Sequence, residues 1–249
     1  IEFDHADIFN NLDDIKKQFH HLLKIVPKSG NLIYFDDDQN TSDVIKSGLW
    51  CNKVVIGSDH IEIDILHKSL IVDNKKYSLK DLPLSGEHNF KNYVSAILAA
   101  TKGGITIEQS IDSLKKFRGV KRRMDLVADI SNIKVYDDFA HHPTAIKMSS
   151  NSIKDKYPTK KILGIVELGS NTMSSGYHKD NLIESLKILD KTLLLDHNNA
   201  YDYLNGFDSE KKMLDCIRAE ILEYDIILIM TNKDSQKFIE PILDSLENK

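Results

Sequence analysis

The stretch that decides the fold lies at residues 133–144, which read IKVYDDFAHHPT. We predict a buried strand over 133–137 and a helix over 143–156, because Pro143 fits the first turn of a helix, where a missing N–H costs nothing. Ligands of open α/β sheets bind at the carboxyl ends of the strands, and helix N-termini attract anions. Two acids and two histidines in this one turn indicate a ligand site more readily than a purely structural role.

The chain beyond this stretch alternates between strand and helix patterns. We predict further strands over 125–130, 161–167, 192–196 and 225–231, and helices over 179–188, 209–223 and 235–247. This alternation is typical of a parallel sheet covered by helices on both faces. The polar loop 167–173 follows one of these strands, and parallel strands bring it to the same sheet edge as residues 137–144.

The first half of the chain has a different pattern of predicted helices and strands. Apolar residues at helical spacing predict a helix over 12–26, with its stripe formed by Leu12, Ile15, Phe19, Leu22, Leu23 and Val26. Strands over 32–35 and 53–56, a helix over 41–49, a β-ribbon near 61–77 and helices over 89–101 and 107–117 follow. We read Trp50 as a core residue. A boundary near Lys121 divides the α/β chain into domains 1–121 and 122–249.

The bulk composition narrows the class of protein. The 249 residues carry a net charge of −5, which does not suit a protein that coats nucleic acid or an anionic membrane. No run of 18 apolar residues occurs, so no membrane span is expected. Cys51 and Cys216 lie far apart and outside any CxxC pattern, which favours a reducing cytoplasm. A chain that starts at Ile1 reads as part of a longer protein.

Three further stretches in the first domain and at its end could carry chemistry. In residues 2–7, an extended backbone would place Asp4 and His5 on opposite faces, so His5 could face a divalent cation, although solvated acids are the commoner case. In residues 85–92, carboxamides on one helical face could read a purine edge, or could simply cap the helix. The basic stretch 118–123 suits a polyphosphate, or is a solvated linker.

Taken together, these stretches resemble the Mur ligase family, with the similarity spanning essentially the whole chain. The motifs occur in the family's order, as Asp4-His5-Ala6-Asp7, Gly86 to Asn92, Gly119 to Arg123 and Asp137 to Pro143. The resemblance implies the remainder of a central P-loop-type ATPase domain, followed by a Rossmann-like C-terminal domain.

The resemblance also implies roles for individual residues. His5 would be a magnesium ligand, and the adenine of ATP would be met by Asn89 and Asn92 with His88 beside them. Arg123 would contact phosphate and act with His141 in catalysis, while Asp138 would contact the ribose. The remaining contacts to substrate would come from four residues: His142, Ser170, Asn171 and Thr172.

The implied activity is ATP-dependent amide formation with Mg²⁺. The pattern is similar to family members that join UDP-N-acetylmuramate to the murein tripeptide L-Ala-γ-D-Glu-meso-diaminopimelate through an acyl phosphate, in cell-wall recycling. One alternative is L-alanine as the acceptor, and another is a non-catalytic nucleotide- or peptide-binding module. Because no G-x-x-x-x-G-K-[ST] pattern occurs in these residues, we expect this chain alone to be inactive.

One departure from the family concerns the acceptor. The resembling ligases usually read Glu-Pro-Arg where this chain reads Glu167-Leu168-Gly169. Either another cation replaces the arginine, with Lys179 the nearest candidate along the chain, or the acceptor preference has shifted.

Overall fold

The computed structural model describes residues 1–248 and divides into two compact units, Ile1–Arg118 and a second unit that begins at Gly119. The split lies between Arg118 and Gly119, inside the basic stretch that the sequence singled out. Each unit has its own apolar core and is described by itself.

The first unit contains two small sheets and four helices. Its elements are α1 (Leu12–Ile25), β1 (Asn31–Phe35), α2 (Gln39–Lys46), β2 (Asn52–Ile56), β3 (Ile61–Asp64), β4 (Ser69–Val72), β5 (Lys75–Ser78), α3 (Glu87–Lys102) and α4 (Ile107–Leu114). Strands β1 and β2 pair in parallel, and β3, β4 and β5 form an antiparallel meander. The helices α1, α3 and α4 confirm the predictions from periodicity.

Local signals explain where these helices begin. The Asn11 side chain accepts the Asp14 N–H at 3.0 Å and so caps α1. Thr106 and Gln109 form a reciprocal capping box at the start of α4. Each cap satisfies a backbone donor that a helix leaves unpaired at its first turn.

One expectation about the apolar residues of this unit was wrong, and the apolar stripe on α1 is only partly covered. Of the stripe on α1, the structure buries Ile15 and Leu23, but Phe19 is 41% exposed and Leu22 is 51% exposed. Trp50 is 47% exposed rather than in the core. Periodicity identifies the side of a helix that is apolar, but the packing partner decides how much of that side is covered.

The second unit is a three-layer α/β/α domain. Its elements are β6 (Asp125–Ile130), β7 (Ile133–Asp138), α5 (Pro143–Lys156), β8 (Ile162–Glu167), α6 (Asn171–Ser174), α7 (Lys179–Leu186), β9 (Lys191–Leu195), α8 (Glu210–Glu220), β10 (Ile226–Met230) and α9 (Gln236–Glu247). The strands form one sheet in the order β6-β7-β10-β8-β9. The predicted α/β class is confirmed.

Both faces of this sheet are buried. On one face Ile227 and Ile229 pack with α8 and α9, and on the other Ile226, Leu228 and Met230 pack with α5 and α7. A strand buried on both sides reads as a continuous apolar run, which is what β10 shows.

The sheet differs from the prediction at one edge. Strand β6 runs antiparallel to β7, whereas β7, β10, β8 and β9 run parallel to one another. Residues Ser131 and Asn132 join β6 to β7 with positive φ values of 53° and 66°, the backbone of a tight hairpin.

Among the described residues, no helix is long and apolar enough to cross a membrane.

Candidate functional site

The candidate site of the second unit lies where its parallel strands end. The register aligns Met230 of β10 with Asp138 of β7 and with Val166 of β8. The loops after β7, β10 and β8 therefore lie side by side, with the β10 loop in the middle. This edge brings together the two stretches that the sequence indicated, residues 139–142 and 168–173.

Asp138 is built into this edge as a buried anchor. Its side chain is 2% exposed, and its carboxylate accepts the Met124 N–H at 2.7 Å, the Ala140 N–H at 2.8 Å and the Ser149 hydroxyl at 3.0 Å. Burial raises the pKa of this carboxyl, although those hydrogen bonds and the charge of Arg123 oppose the rise. We expected a carboxylate open to a ribose, but in this conformation both oxygens bind the chain itself.

The arginines before β6 gather around one aromatic ring. The guanidinium carbon of Arg122 lies 5.1 Å from the Phe139 ring centroid, and that of Arg123 lies 5.8 Å from it. Arg122 also donates to the Thr231 carbonyl at 2.7 Å, and its Nε lies 3.3 Å from Asp137 Oδ2. Arg122 is therefore held in place, while the exposed Arg123 is the one available to an anion.

His141 stands on the other side of that ring. Its imidazole packs edge-on against Phe139 at 5.2 Å, and its Nδ1 lies 2.9 Å from the Phe139 carbonyl. Because a carbonyl only accepts, Nδ1 carries the proton of the neutral ring and Nε2 is left as an acceptor. The sequence-predicted catalytic pair, Arg123 and His141, thus shares Phe139 as a common support.

His142 has a structural role at the start of α5. It is the N-cap residue, with Nδ1 accepting the Thr144 N–H at 3.3 Å, and Pro143 follows in the first turn as predicted. Its ring packs edge-on against that of His178 at 4.6 Å. These contacts fix the side chain beside the helix N-terminus, a place that favours anions.

The predicted substrate loop folds into a short helix that the sequence did not reveal. Ser170 caps α6 by accepting the Met173 N–H at 3.3 Å. Asn171 is exposed on its first turn, whereas Thr172 is 1% exposed. Of the three residues, Asn171 is the most exposed, and the predicted substrate contacts of Ser170, Asn171 and Thr172 all stay predictions.

Sequence reasoning missed the loop after β10. The Thr231 hydroxyl donates to Glu167 Oε2 at 2.5 Å and accepts the Lys233 N–H at 2.9 Å. This links the β10 loop to the end of β8. The signal was a polar Thr-Asn-Lys run after a fully apolar strand, but its importance depends on β10 being central in the sheet.

A lysine lies within the acidic cluster of this edge. Lys237 Nζ lies 2.6 Å from Glu167 Oε1 and 2.7 Å from Glu210 Oε1. Partial burial works against its charge, yet the two carboxylates outweigh it and raise the pKa of Lys237. Within residues 1–248, Glu167, Glu210 and His197 form one group whose ligand atoms could hold a metal ion, all within 4.8 Å. The ammonium already supplies the positive charge there.

The structure also changes the expectation for Gly169. A Cβ at this position would lie 2.7 Å from Cγ and 3.0 Å from Cε of Lys233, and 2.6 Å from Asn232 Oδ1. Lys179, the candidate that we named if another cation replaces the arginine, lies with its Nζ 5.9 Å from the Tyr203 ring centroid. The cation beside Gly169 is therefore Lys233.

In the first unit, a turn begins at His5, in place of the extended segment that would put Asp4 and His5 on opposite faces. His5 has a φ of 57°, and its carbonyl accepts the N–H groups of Ile8 and Phe9 at 2.8 and 2.9 Å. The imidazole is exposed, with Nε2 3.9 Å from Asp4 Oδ2. One exposed imidazole is a single donor, and its predicted role as a magnesium ligand stays a prediction.

The predicted adenine residues lie at the start of α3. Gly86 is the N-cap residue with a φ of 94°, a conformation that suits glycine. Asn89 donates from Nδ2 to the Ser85 carbonyl at 2.8 Å, so it contributes to the helix start. His88 is half-buried and Asn92 is exposed one turn further on. The adenine contacts remain predictions, and the alternative that Ser85 or Asn89 caps the helix differs from the structure, in which Gly86 is the N-cap residue.

Comparison with known proteins identifies the family. The Mur ligase middle domain matches residues 1–100, and the Mur ligase glutamate ligase domain matches residues 122–240. The chain is 31% identical over its whole length to UDP-N-acetylmuramate–L-alanyl-γ-D-glutamyl-meso-2,6-diaminoheptandioate ligase of Haemophilus influenzae, covering 59% of that protein. It is 37% identical to the Escherichia coli ligase of the same name over 78% of its length, covering 44% of that protein.

A solved structure agrees with these matches. Murein peptide ligase from Psychrobacter arcticus superposes with a TM-score of 0.70 at 28% identity, over 97% of this chain and 56% of that one. The chain belongs to the Mur ligase family. It spans about half the length of the relatives that it matches.

Proposed function

We propose that this chain is part of an ATP-dependent ligase that joins UDP-N-acetylmuramate to L-alanyl-γ-D-glutamyl-meso-diaminopimelate in cell-wall recycling. The observation that carries the proposal is the support of Arg123 and His141 by one ring, Phe139, at the carboxyl edge of the sheet. The two ligases named above, which match this chain at 31% and 37% identity, support the choice of substrates. In this proposal residues 1–121 complete an ATP-binding domain, residues 122–249 form the C-terminal ligase domain, and the enzyme works in the cytoplasm.

Amide formation from a carboxylate needs activation, and phosphoryl transfer from ATP to the carboxylate supplies it. The acyl phosphate is then attacked by the amine of the peptide, and phosphate leaves. Arg123 would stabilise negative charge on the transferring phosphoryl group, since exposed guanidinium donors suit phosphate oxygens. Arg122, tied to Thr231 and close to Asp137, would add its charge without moving.

His141 is oriented to accept a proton. With Nδ1 donating to the Phe139 carbonyl, the free Nε2 could take the proton that the attacking amine loses. The N-terminus of α5, capped by His142, would favour the negative charge of the acyl phosphate or of the muramate substrate.

The proposed adenine contacts belong to the first unit. Asn89 and Asn92 lie three residues apart near the start of α3, where their carboxamides could contact the adenine, with His88 beside them. Asp138, in contrast, would act on the ribose only through the turn that it anchors. Mg²⁺ prefers several oxygen ligands, so His5 alone does not form its site, and we propose it as one contributor.

The test is an assay of the complete enzyme. Phosphate release from ATP should require both UDP-N-acetylmuramate and the tripeptide, and the product should be their amide. L-alanine is the second candidate acceptor, because UDP-N-acetylmuramate–L-alanine ligase of Caldanaerobacter subterraneus is 31% identical over 99% of this chain and is covered to 54%. Faster ligation of L-alanine than of the tripeptide would select that alternative.

The 249-residue chain by itself should not hydrolyse ATP. It contains no G-x-x-x-x-G-K-[ST] loop, whose backbone N–H groups and lysine hold the β- and γ-phosphates. Phosphate release by this chain, stimulated by UDP-N-acetylmuramate, would contradict this expectation.

A further inference from the structure

The loop after β10 holds a cation that the proposed reaction has not used. Lys233 is exposed, and its ammonium makes no ion pair with any residue in the range 1–248. The neighbouring acid, Asp234, accepts the N–H of Gln236 at 3.0 Å and so faces the start of α9. Lys233 therefore offers a free positive charge at the ligand-binding edge of the sheet.

The backbone of Lys233 is fixed from both sides. Its N–H donates to the Thr231 hydroxyl, which is itself tied to Glu167 at the end of β8. The Thr231 carbonyl accepts from Arg122, which comes from the β7 side. A lysine on a pinned loop loses less conformational entropy on binding a ligand than one on a mobile loop.

Gly169 provides the space for the side chain. Because it has no Cβ, the aliphatic stem of Lys233 lies where any other residue would place one, 2.7 Å from Cγ and 3.0 Å from Cε. The stem is thus directed across the end of β8. The strand order β7-β10-β8 places this lysine on the opposite side of the β10 loop from Arg123 and His141.

We propose that Lys233 binds a carboxylate of the acceptor substrate, a specificity contact that rests on the proposed ligase function. The phosphates and the reacting carboxyl would be held on the β7 side by Arg123 and the N-terminus of α5. The acceptor must approach with its amine toward that group, which leaves its acidic part over β8. Lys233 is a cation on that side that has no ion pair among residues 1–248.

The experiment uses the complete enzyme with each substrate varied in turn. Lys233→Met should raise KM for the acidic tripeptide about 10-fold and leave KM for ATP unchanged, because a hydrogen-bonded ion pair with a partly hydrated lysine is lost. Lys233→Arg should restore most of the affinity. The matched control is Lys187→Met, which removes an exposed lysine that pairs with Glu184 on α7.

A second variant tests the geometry without removing the charge. Gly169→Ala places a methyl group against the Lys233 stem, so it should raise KM for the tripeptide in the same direction but less. Tripeptides amidated at one carboxylate at a time identify the group, since Lys233→Met should have no further effect on the peptide that lacks it.

The outcomes separate this inference from the ligase proposal. If L-alanine is the true acceptor, the assignment of the tripeptide as acceptor is wrong. Lys233→Met must then raise KM for L-alanine. If no ligation occurs, the tripeptide affinities of the wild-type enzyme and of Lys233→Met, measured by calorimetry, still test whether Lys233 binds the acceptor. Unchanged acceptor affinity, an increase in KM for ATP alone, or an equal loss in Lys187→Met would overturn the inference.

Discussion

Asp138→Asn is the substitution whose effect the structure defines most closely. The carboxylate is buried and accepts three donors, with Ala140 and Ser149 on Oδ1 and Met124 on Oδ2. A carboxamide has the same shape but one oxygen. In its best orientation it keeps the two donors on Oδ1 and turns its NH₂ group toward the Met124 N–H.

The magnitude follows from that mismatch. One hydrogen bond is lost and two donors face each other in a buried place, which costs about 1–3 kcal/mol. The neutral amide avoids the burial cost that raises the pKa of Asp138, so the net loss should lie at the lower end, about 1–2 kcal/mol. Asp138 should therefore matter for the folding of the second unit and not only for ligation.

The assay is urea unfolding of the wild-type and variant chains at constant pH. Asp129→Asn is the control, because Asp129 is exposed on β6 and pairs with Lys134, and surface pairs contribute about 0–1 kcal/mol. Equal stability of Asp138→Asn and wild type, or a larger loss in the control, would refute the reasoning.

The same variant has a pH signature. Because the pKa of Asp138 is raised in the folded state, this carboxyl contributes most stability below its ordinary pKa, and that contribution is lost as pH rises through the raised value. The stability difference between wild type and Asp138→Asn should thus shrink with rising pH across this window. A difference that grows with pH would give the opposite sign and contradict the burial argument.

Three other predictions concern separate parts of the molecule. In the complete enzyme, Arg123→Ala should lower kcat/KM by the equivalent of about 2–4 kcal/mol, as expected for a lost charge-stabilising donor, and Arg118→Ala should do much less; equal effects in steady-state kinetics would contradict the assignment. Lys237→Met should destabilise the second unit by about 3 kcal/mol in urea unfolding, because Glu167 is 4% exposed and loses its ammonium partner. His5→Ala should raise the Mg²⁺ concentration that gives half-maximal activity and leave KM for the acceptor unchanged; an unchanged Mg²⁺ dependence would remove His5 from the metal site.

Local sequence was enough to predict most elements of the second unit. The run Ile226–Met230 reads as a strand buried on both faces, and Pro143 after two histidines reads as a helix start. These signals depend on residues close together along the chain. For the same reason, the sequence correctly brought the loops after β7 and β8 to one edge.

The sequence by itself could not predict which loop lies in the centre of that sheet edge. Strand order depends on which distant segments pair, and no local periodicity specifies that β10 lies between β7 and β8. The central loop with Thr231 and Lys233 was therefore missed, and Lys179 was chosen because it is near Gly169 along the chain. Only the folded chain shows the Lys233 stem in the space beside Gly169.

Burial was the other property that only tertiary structure decided. Asp137 and Asp138 are adjacent aspartates at the end of β7, and the sequence alone does not distinguish them. In the structure, the Asp137 carboxylate contacts Ser235 and Arg122, whereas that of Asp138 accepts donors of its own turn. Likewise, the apolar residues of α1 predict a helix whether or not a partner covers Phe19 and Leu22. Helix and strand preferences are local, whereas exposure and hydrogen-bond partners are set by segments far apart in the sequence, which meet only after the sheet has formed.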